Sequence, residues 1–520
     1  MTAAPEVAPP RPESEGRASL RPAWILAATL GAVGLYVAVI RLLGGIGEGD
    51  AAVSVYSTWA IAHGHLACAY PPPAYRSLHL PGIAQPYTSI TPFYPVVSGL
   101  LVALFRIGHA TAFPSAAALG PHCAHAYHAI FAWSVRSSSA LTTLQVGYVS
   151  AALLLVAVVL TWRASGRPLR GRHLGTLALV ALAAPVLGCL LEFYHPQDLL
   201  ALALTLAGVA AALRRRWGWA GVALGLAVTT HQFALLVAVP FLVLVPRPAW
   251  WRYVAGLAAA VAAVDLPFLV ATSGRAARAI VIGSGFTRSY GGTVVWELTQ
   301  RGASLFALSR VAPVLAGVAV VALARRRLGD RLYESTTLLS LVGVLLGLRL
   351  VFEVNLWSYY FAALATLILL VEAQRERWRP AVAFWWLTLW MALDPLPAGF
   401  QTNSTIWDIH LRVWGPTYLT LAATGAVVVG TLSRRLRWWW WLWVVGAAVA
   451  FVHLPVVDAL SHHAWPTWLW QIVLVPWGLI LVATPLGNAL RHRFAQDRSG
   501  DITGENPRIT FTSDVEPSVG

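Results

Sequence analysis

Apolar stretches of about twenty residues, the length that crosses a bilayer, recur along most of this chain. The first runs from Trp24 to Leu43. In lipid such a segment satisfies its own backbone hydrogen bonds as a helix. The expected fold is therefore all-α, a polytopic transmembrane helix bundle. At about 20 residues per crossing, it has roughly 12 to 15 membrane helices. Composition agrees: 58% of the residues are hydrophobic, only 11% are charged, and mean hydropathy is +0.64. That is too little charge for the surface of a soluble protein of 520 residues.

The net charge of +15 raises the question of nucleic acid. All 37 Lys and Arg residues are Arg, and they fall in short clusters between apolar runs. They mark topology, and no nucleic-acid partner is expected. The cytoplasmic candidates are 163–173, 214–217, 247–252, 325–331, 375–379, 434–437 and 491–493. Polar, Arg-poor turns lie between them at 192–198, 229–232, 353–358, 395–410 and 456–465, and 272–301 is an outward loop that does carry Arg. Each inside-to-inside interval holds two apolar runs, so both termini are expected in the cytoplasm. Residues 1–21 read as a disordered tail, 22–490 as the membrane domain and 491–520 as a second tail. The first span is full length and lacks a small-residue cleavage site, so it reads as an anchor and not a removable signal.

Two intervals are tight. Between Gly44 and Ser139 parity allows no further crossing or two, and two is the preferred reading. Between Trp217 and Pro246 there is little room for two full spans, so 218–228 and 233–245 are expected to form a shallow hairpin.

Ionisable groups at membrane depth are costly, which makes each a functional candidate. On the outward side stand Glu48 and Asp50, the segment EFYHPQD (Glu192–Asp198), and LRLVFEVNLWSYY with Arg349 and Glu353 one helical turn apart. Arg275, Arg278 and Arg288 lie in an outward loop, where guanidinium suits a phosphate. Asp50 could equally cap an interfacial helix, and Arg349 and Glu353 could simply neutralise each other. The three Cys (Cys68, Cys123 and Cys189) have no metal-binding spacing. His122, His125 and His128 recur at helical spacing without a neighbouring carboxylate, and no metal or other cofactor is expected, although Asp50 with one other carboxylate could hold a divalent ion. The four Trp from Trp438 to Trp441 read as an interfacial belt.

Taken in order, these residues resemble the C-type (GT-C) membrane glycosyltransferases, and most closely glycosyltransferase family 87, which includes actinobacterial mannosyltransferase-like enzymes. The resemblance is carried by Asp50, Tyr56, Gly64, Tyr70–Pro71 and the run Tyr87–Pro95. It continues through His195-Pro196-Gln197-Asp198 and His231-Gln232-Phe233 to Arg349, Glu353, Tyr359 and Tyr360. Gln197 replaces an acid and His231 replaces a Lys of the family pattern. The resemblance implies a GT-C-like fold in the plasma (inner) membrane with the active site facing outward. It also implies a polyprenyl-phosphate-linked sugar donor of the mannose or arabinose class and a glycan or glycolipid acceptor of the cell envelope. Membrane lipids would be its surroundings.

Glycosyl transfer from a lipid phosphate needs a base for the acceptor hydroxyl and cations for the departing phosphate. Asp50 is the expected base, with Glu48 next. Arg349, His231, Arg275, Arg278 and Arg288 are the candidates for the phosphate. His195, Gln197, Asp198, Glu353, Tyr359 and Tyr360 are the candidates for holding the acceptor or orienting the base. The rival reading is a transporter or a flippase for lipid-linked sugars, which would show interrupted helices with charge deep in the bundle.

Overall fold

The computed structural model describes residues 139–167, single positions between 173 and 189, and then 195–271, 293–299, 303–353, 356, 358–375 and 470–503. These residues are helical throughout, with short 3-10 or π turns between helices. The helices are α1 (Ser139–Ala164), α2 (Pro196–Leu213), α3 (Trp217–Thr230), α4 (Leu235–Leu244) and α5 (Trp250–Ala271). After them come α6 (Val294–Thr299), α7 (Ala303–Leu328), α8 (Ser335–Phe352), α9 (Ala362–Gln374) and α10 (Val475–Thr503). Helix α10 continues past 490, so that 491–503 is helical. The crossings between Gly44 and Ser139, the N-terminal tail and the Trp438–Trp441 belt lie outside the described residues.

Among the described residues, four helices are long and apolar enough to cross a membrane: Pro196–Leu213, Arg247–Ala271, Ser335–Phe352 and Gln471–Arg493. The protein is accordingly a multi-pass membrane protein. Its core has no polar side to hide from. Leu, Val and Ala of α2, α8 and α9 are buried nearly all round, as expected for helices surrounded by other helices. By contrast, α5 is buried over only 17% of its span, an exposed apolar face that suits lipid.

Helix α2 packs between α1 and α3, and α3 packs on α5. Helix α8 sits at the centre of the other half, against α10, α9, α7 and α4. The short hairpin expected between Trp217 and Pro246 is present as α3 and α4. At 14 residues, α3 is about 21 Å long. At 10 residues, α4 is about 15 Å, and neither matches a hydrocarbon core of about 30 Å. The two meet at His231 and the turn Gln232–Ala234. They then diverge, α3 onto α5 and α4 onto α7.

The bundle has two chemically distinct ends. At one, Arg325 donates to the carbonyls of Val243 and Val245, and the Tyr333 hydroxyl donates to Leu244 O at 2.7 Å. Arg215 lies over the Tyr333 ring at 3.6 Å. Arg167 donates to Gln374 O, and Ser335 Oγ to Gln374 Oε1 at 2.7 Å. The sequence's arginine clusters thus meet at one end and satisfy helix C-terminal carbonyls there, which cations do well. The other end carries Asp198 and Glu353.

Candidate functional site

Four chain segments meet at that acidic end. Helix α2 begins at His195, with Pro196 at its first position, where the missing amide costs nothing. Asp198 therefore falls in the first turn, where the helix dipole favours an anion. Helix α8 runs the opposite way and ends with Arg349 in its last turn, where the dipole favours a cation. The two helix ends meet in an ion pair, Arg349 Nη1 to Asp198 Oδ1 at 3.4 Å. Glu353, the residue that closes α8, places Oε2 3.5 Å from Arg349 Nε. One guanidinium is therefore shared by two carboxylates, all three side chains being nearly buried (12%, 5% and 6% exposed).

Aromatic rings complete the hold. The Arg349 guanidinium lies 3.8 Å from the centre of the Tyr360 ring and 5.3 Å from that of Phe233. Tyr359 stands edge-on to Tyr360 at 4.8 Å. It stacks on His195 with centroids 4.1 Å apart and 17° between the planes.

His231 enters from the α3–α4 turn. Its Nδ1 accepts the backbone N–H of Phe233 at 3.3 Å, so the neutral ring carries its proton on Nε2. That Nε2 lies 3.7 Å from Asp198 Oδ2. Burial holds the His231 ring down at about 4, with Asp198 pulling the other way and Arg349 and His195 adding to the depression. The ring is thus neutral, with its N–H aimed at a carboxylate and no lone pair left for a metal or for base work. His195 is arranged differently: the same atom, Nδ1, takes the Gln197 amide at 2.5 Å and lies 3.6 Å from Asp198 Oδ2. Asp198 Oδ2 is consequently a buried carboxylate oxygen with two histidines close by and no hydrogen bond. Such an oxygen keeps unused hydrogen-bond-accepting capacity.

The site residues predicted from sequence divide cleanly. His195, Gln197, Asp198, His231, Arg349, Glu353, Tyr359 and Tyr360 come together. Glu48, Asp50, Arg275, Arg278 and Arg288 lie outside the described residues. Among the described residues, no group of three or more His, Cys, Asp or Glu could hold a metal ion. Arg349, expected to face a phosphate, faces two acids, and His231 faces one.

Two participants escaped sequence reading. Gln471, at the start of the last apolar run, donates from Nε2 to the Glu353 and Leu350 carbonyls at 2.8 and 3.2 Å. Its Oε1 accepts from Val294 N at 2.9 Å, tying α6 to the end of α8. A lone amide inside an apolar run was the available signal. The fully buried Cys189 accepts the His195 N–H on its carbonyl at 2.5 Å, and its thiol donates to Tyr359 O at 3.8 Å. Cysteine passes for a small hydrophobe in sequence.

No protein-family profile matches the chain, and no curated protein matches it significantly.

Proposed function

We propose that the chain is a membrane glycosyltransferase of the GT-C kind. It moves a sugar of the mannose or arabinose class from a polyprenyl-phosphate carrier to a cell-envelope glycan or glycolipid on the outer face. The observation that carries this reading is the meeting of Asp198, His231 and Arg349, from three of the segments on which the resemblance rests, at the end opposite the arginines. In an inverting transfer, the acceptor hydroxyl loses its proton to a carboxylate as its oxygen bonds to the anomeric carbon. The carbon–phosphate oxygen bond breaks, and the phosphate departs with the electron pair, needing cations and no acid. Asp50 is the base that the resemblance assigns. On this reading Asp198 Oδ2, which has no hydrogen bond of its own, would take a second hydroxyl of the acceptor sugar. Arg349 can serve the phosphate by exchanging one of its two carboxylates for it, a swap that keeps its charge neutralised.

A second reading has a specific observation behind it. The α3–α4 pair is an interrupted element beside buried charge, as in transporters. Proteoliposomes carrying short-chain polyprenyl-phosphate mannose and a synthetic mannoside acceptor separate the two. Label should move to the acceptor, and Asp50→Asn should slow that by roughly 10²–10⁴-fold with normal protein levels. Movement of intact lipid-linked sugar between leaflets, with no bond cleavage, would identify the flippase instead.

A further inference from the structure

The arginine-rich end carries a surface that the bundle's own packing does not use. Helices α3 and α5 begin side by side there: a Cβ placed on Gly218 would stand 3.8 Å from Arg252 O. Arg214, Arg216, Arg247 and Arg252 are all exposed at these two starts. Around them three tryptophans are exposed: Trp219 at 68%, Trp250 at 47% and Trp251 at 62%. Arg252 lies over the Trp251 ring at 5.4 Å. Among the described residues, the carboxylate within ion-pair distance of this group is Asp330, on Arg215 at 3.9 Å. Among the described residues, Arg214, Arg216, Arg247 and Arg252 have no anionic partner within ion-pair distance.

We propose that this surface is a binding site for an anionic phospholipid of the phosphatidylglycerol type. Exposed Trp beside exposed Arg marks the level of lipid headgroups in a membrane helix, so the neighbouring molecule at that height is a phospholipid. Guanidinium grips a phosphate diester with paired N–H groups. A zwitterionic headgroup would bring its own ammonium against four arginines. A phosphatidylglycerol headgroup brings hydroxyls, which add acceptors and no positive charge. Charge complementarity therefore selects the anionic lipid. Positive-inside topology alone accounts for arginines at this end, but not for their grouping at the α3 and α5 starts between tryptophans.

The experiment is a lipid titration of the purified full chain, followed by native mass spectrometry with phosphatidylglycerol and phosphatidylcholine. The wild type should retain phosphatidylglycerol more tightly. At about 1 kcal/mol per arginine, Arg216→Gln alone should weaken the first phosphatidylglycerol about fivefold. The triple variant Arg216→Gln/Arg247→Gln/Arg252→Gln should weaken it at least ~25-fold. Arg163→Gln/Arg326→Gln/Arg331→Gln removes the same charge from exposed positions of the same end, and should weaken it less than about twofold. Circular dichroism checks that each variant is folded, and the single variant stands in if the triple is not. Equal losses in both triples would mean diffuse attraction and overturn the site, as would no loss in either or no preference between the two lipids.

Discussion

Arg349 is the residue on which the acidic end balances. It faces Asp198 and Glu353 at once, so its removal leaves two buried carboxylates without a cation. Breaking a buried pair in that way costs about 3–5 kcal/mol. Arg349→Gln should accordingly lower the melting temperature in detergent markedly, whereas Glu353→Gln leaves Arg349 with Asp198 and should lower it little. The reversed pair Arg349→Glu/Glu353→Arg cannot restore the fold, because Asp198 would then face an acid at position 349 in place of its cation. The neutral triple Arg349→Gln/Asp198→Asn/Glu353→Gln should recover most of the lost stability. If Arg349→Gln melts like wild type, the ion pairs are not formed in the membrane. His231 supplies a pH test. Its folded-state value, held by burial at about 4, lies below the ordinary 6.5. Between those values the unfolded chain takes up a proton that the folded chain refuses. Stability should therefore fall as pH drops from 6.5 towards 4 and level off below that. In His231→Gln, urea unfolding followed across that window should lose this component of the slope. An unchanged slope would mean that His231 is protonated in the folded protein.

At the level of elements, the site depends on how closely α3 can approach α5, because α3 carries His231 at its end. The approach is made by glycines. A Cβ on Gly221 would collide with the carbonyl oxygen of Tyr253, and one on Gly256 with that of Gly218. Tyr253 is itself fixed, fully buried with its hydroxyl donating to Ala238 O at 2.7 Å, so α5 also holds α4. Small residues give this kind of contact between membrane helices. Gly221→Ala should force the helices apart and cost about 1–3 kcal/mol, seen as a lower melting temperature. Gly208→Ala should cost less, because the nearest atoms belong to the Leu224 side chain, which can turn away. Comparable losses in the two variants would mean that the α3–α5 contact is looser than described. The short hairpin itself was legible in sequence, since 217–246 lacks the residues for two full spans. The glycine seam was not. Gly218, Gly221, Gly225 and Gly256 sit among many Ala and Gly, and only the contact geometry separates those at the crossing from the rest. The same holds for Gln471 and Cys189, whose partners are largely main-chain atoms that no motif encodes.

For the whole molecule, the segregation of charge ties topology to function. His195, Asp198, His231, Arg349 and Glu353 were legible because a polar group in an apolar chain stands out. Their convergence followed from parity, since every segment that carried one was placed on the same side. That Arg349 would be shared by two acids was not legible, because it depends on the approach of α2 to α8. Which of the two ends faces the cytoplasm follows from the arginine bias. Cysteine labelling in intact cells tests it, in a background with Cys68, Cys123 and Cys189 replaced by Ser. Asp330 is a suitable inner probe, because its side chain is 97% exposed and sits among the arginines. Asn355, two residues past Glu353, is the outer probe. An impermeant maleimide should label Asn355→Cys in intact cells, and Asp330→Cys only after permeabilisation. Because both probes flank the same helix, α8, they must report opposite sides whichever way the protein sits. The reverse pattern would turn the acidic cluster towards the cytoplasm. An outward-facing transferase would then be untenable, and the arginine and tryptophan surface would meet the outer leaflet.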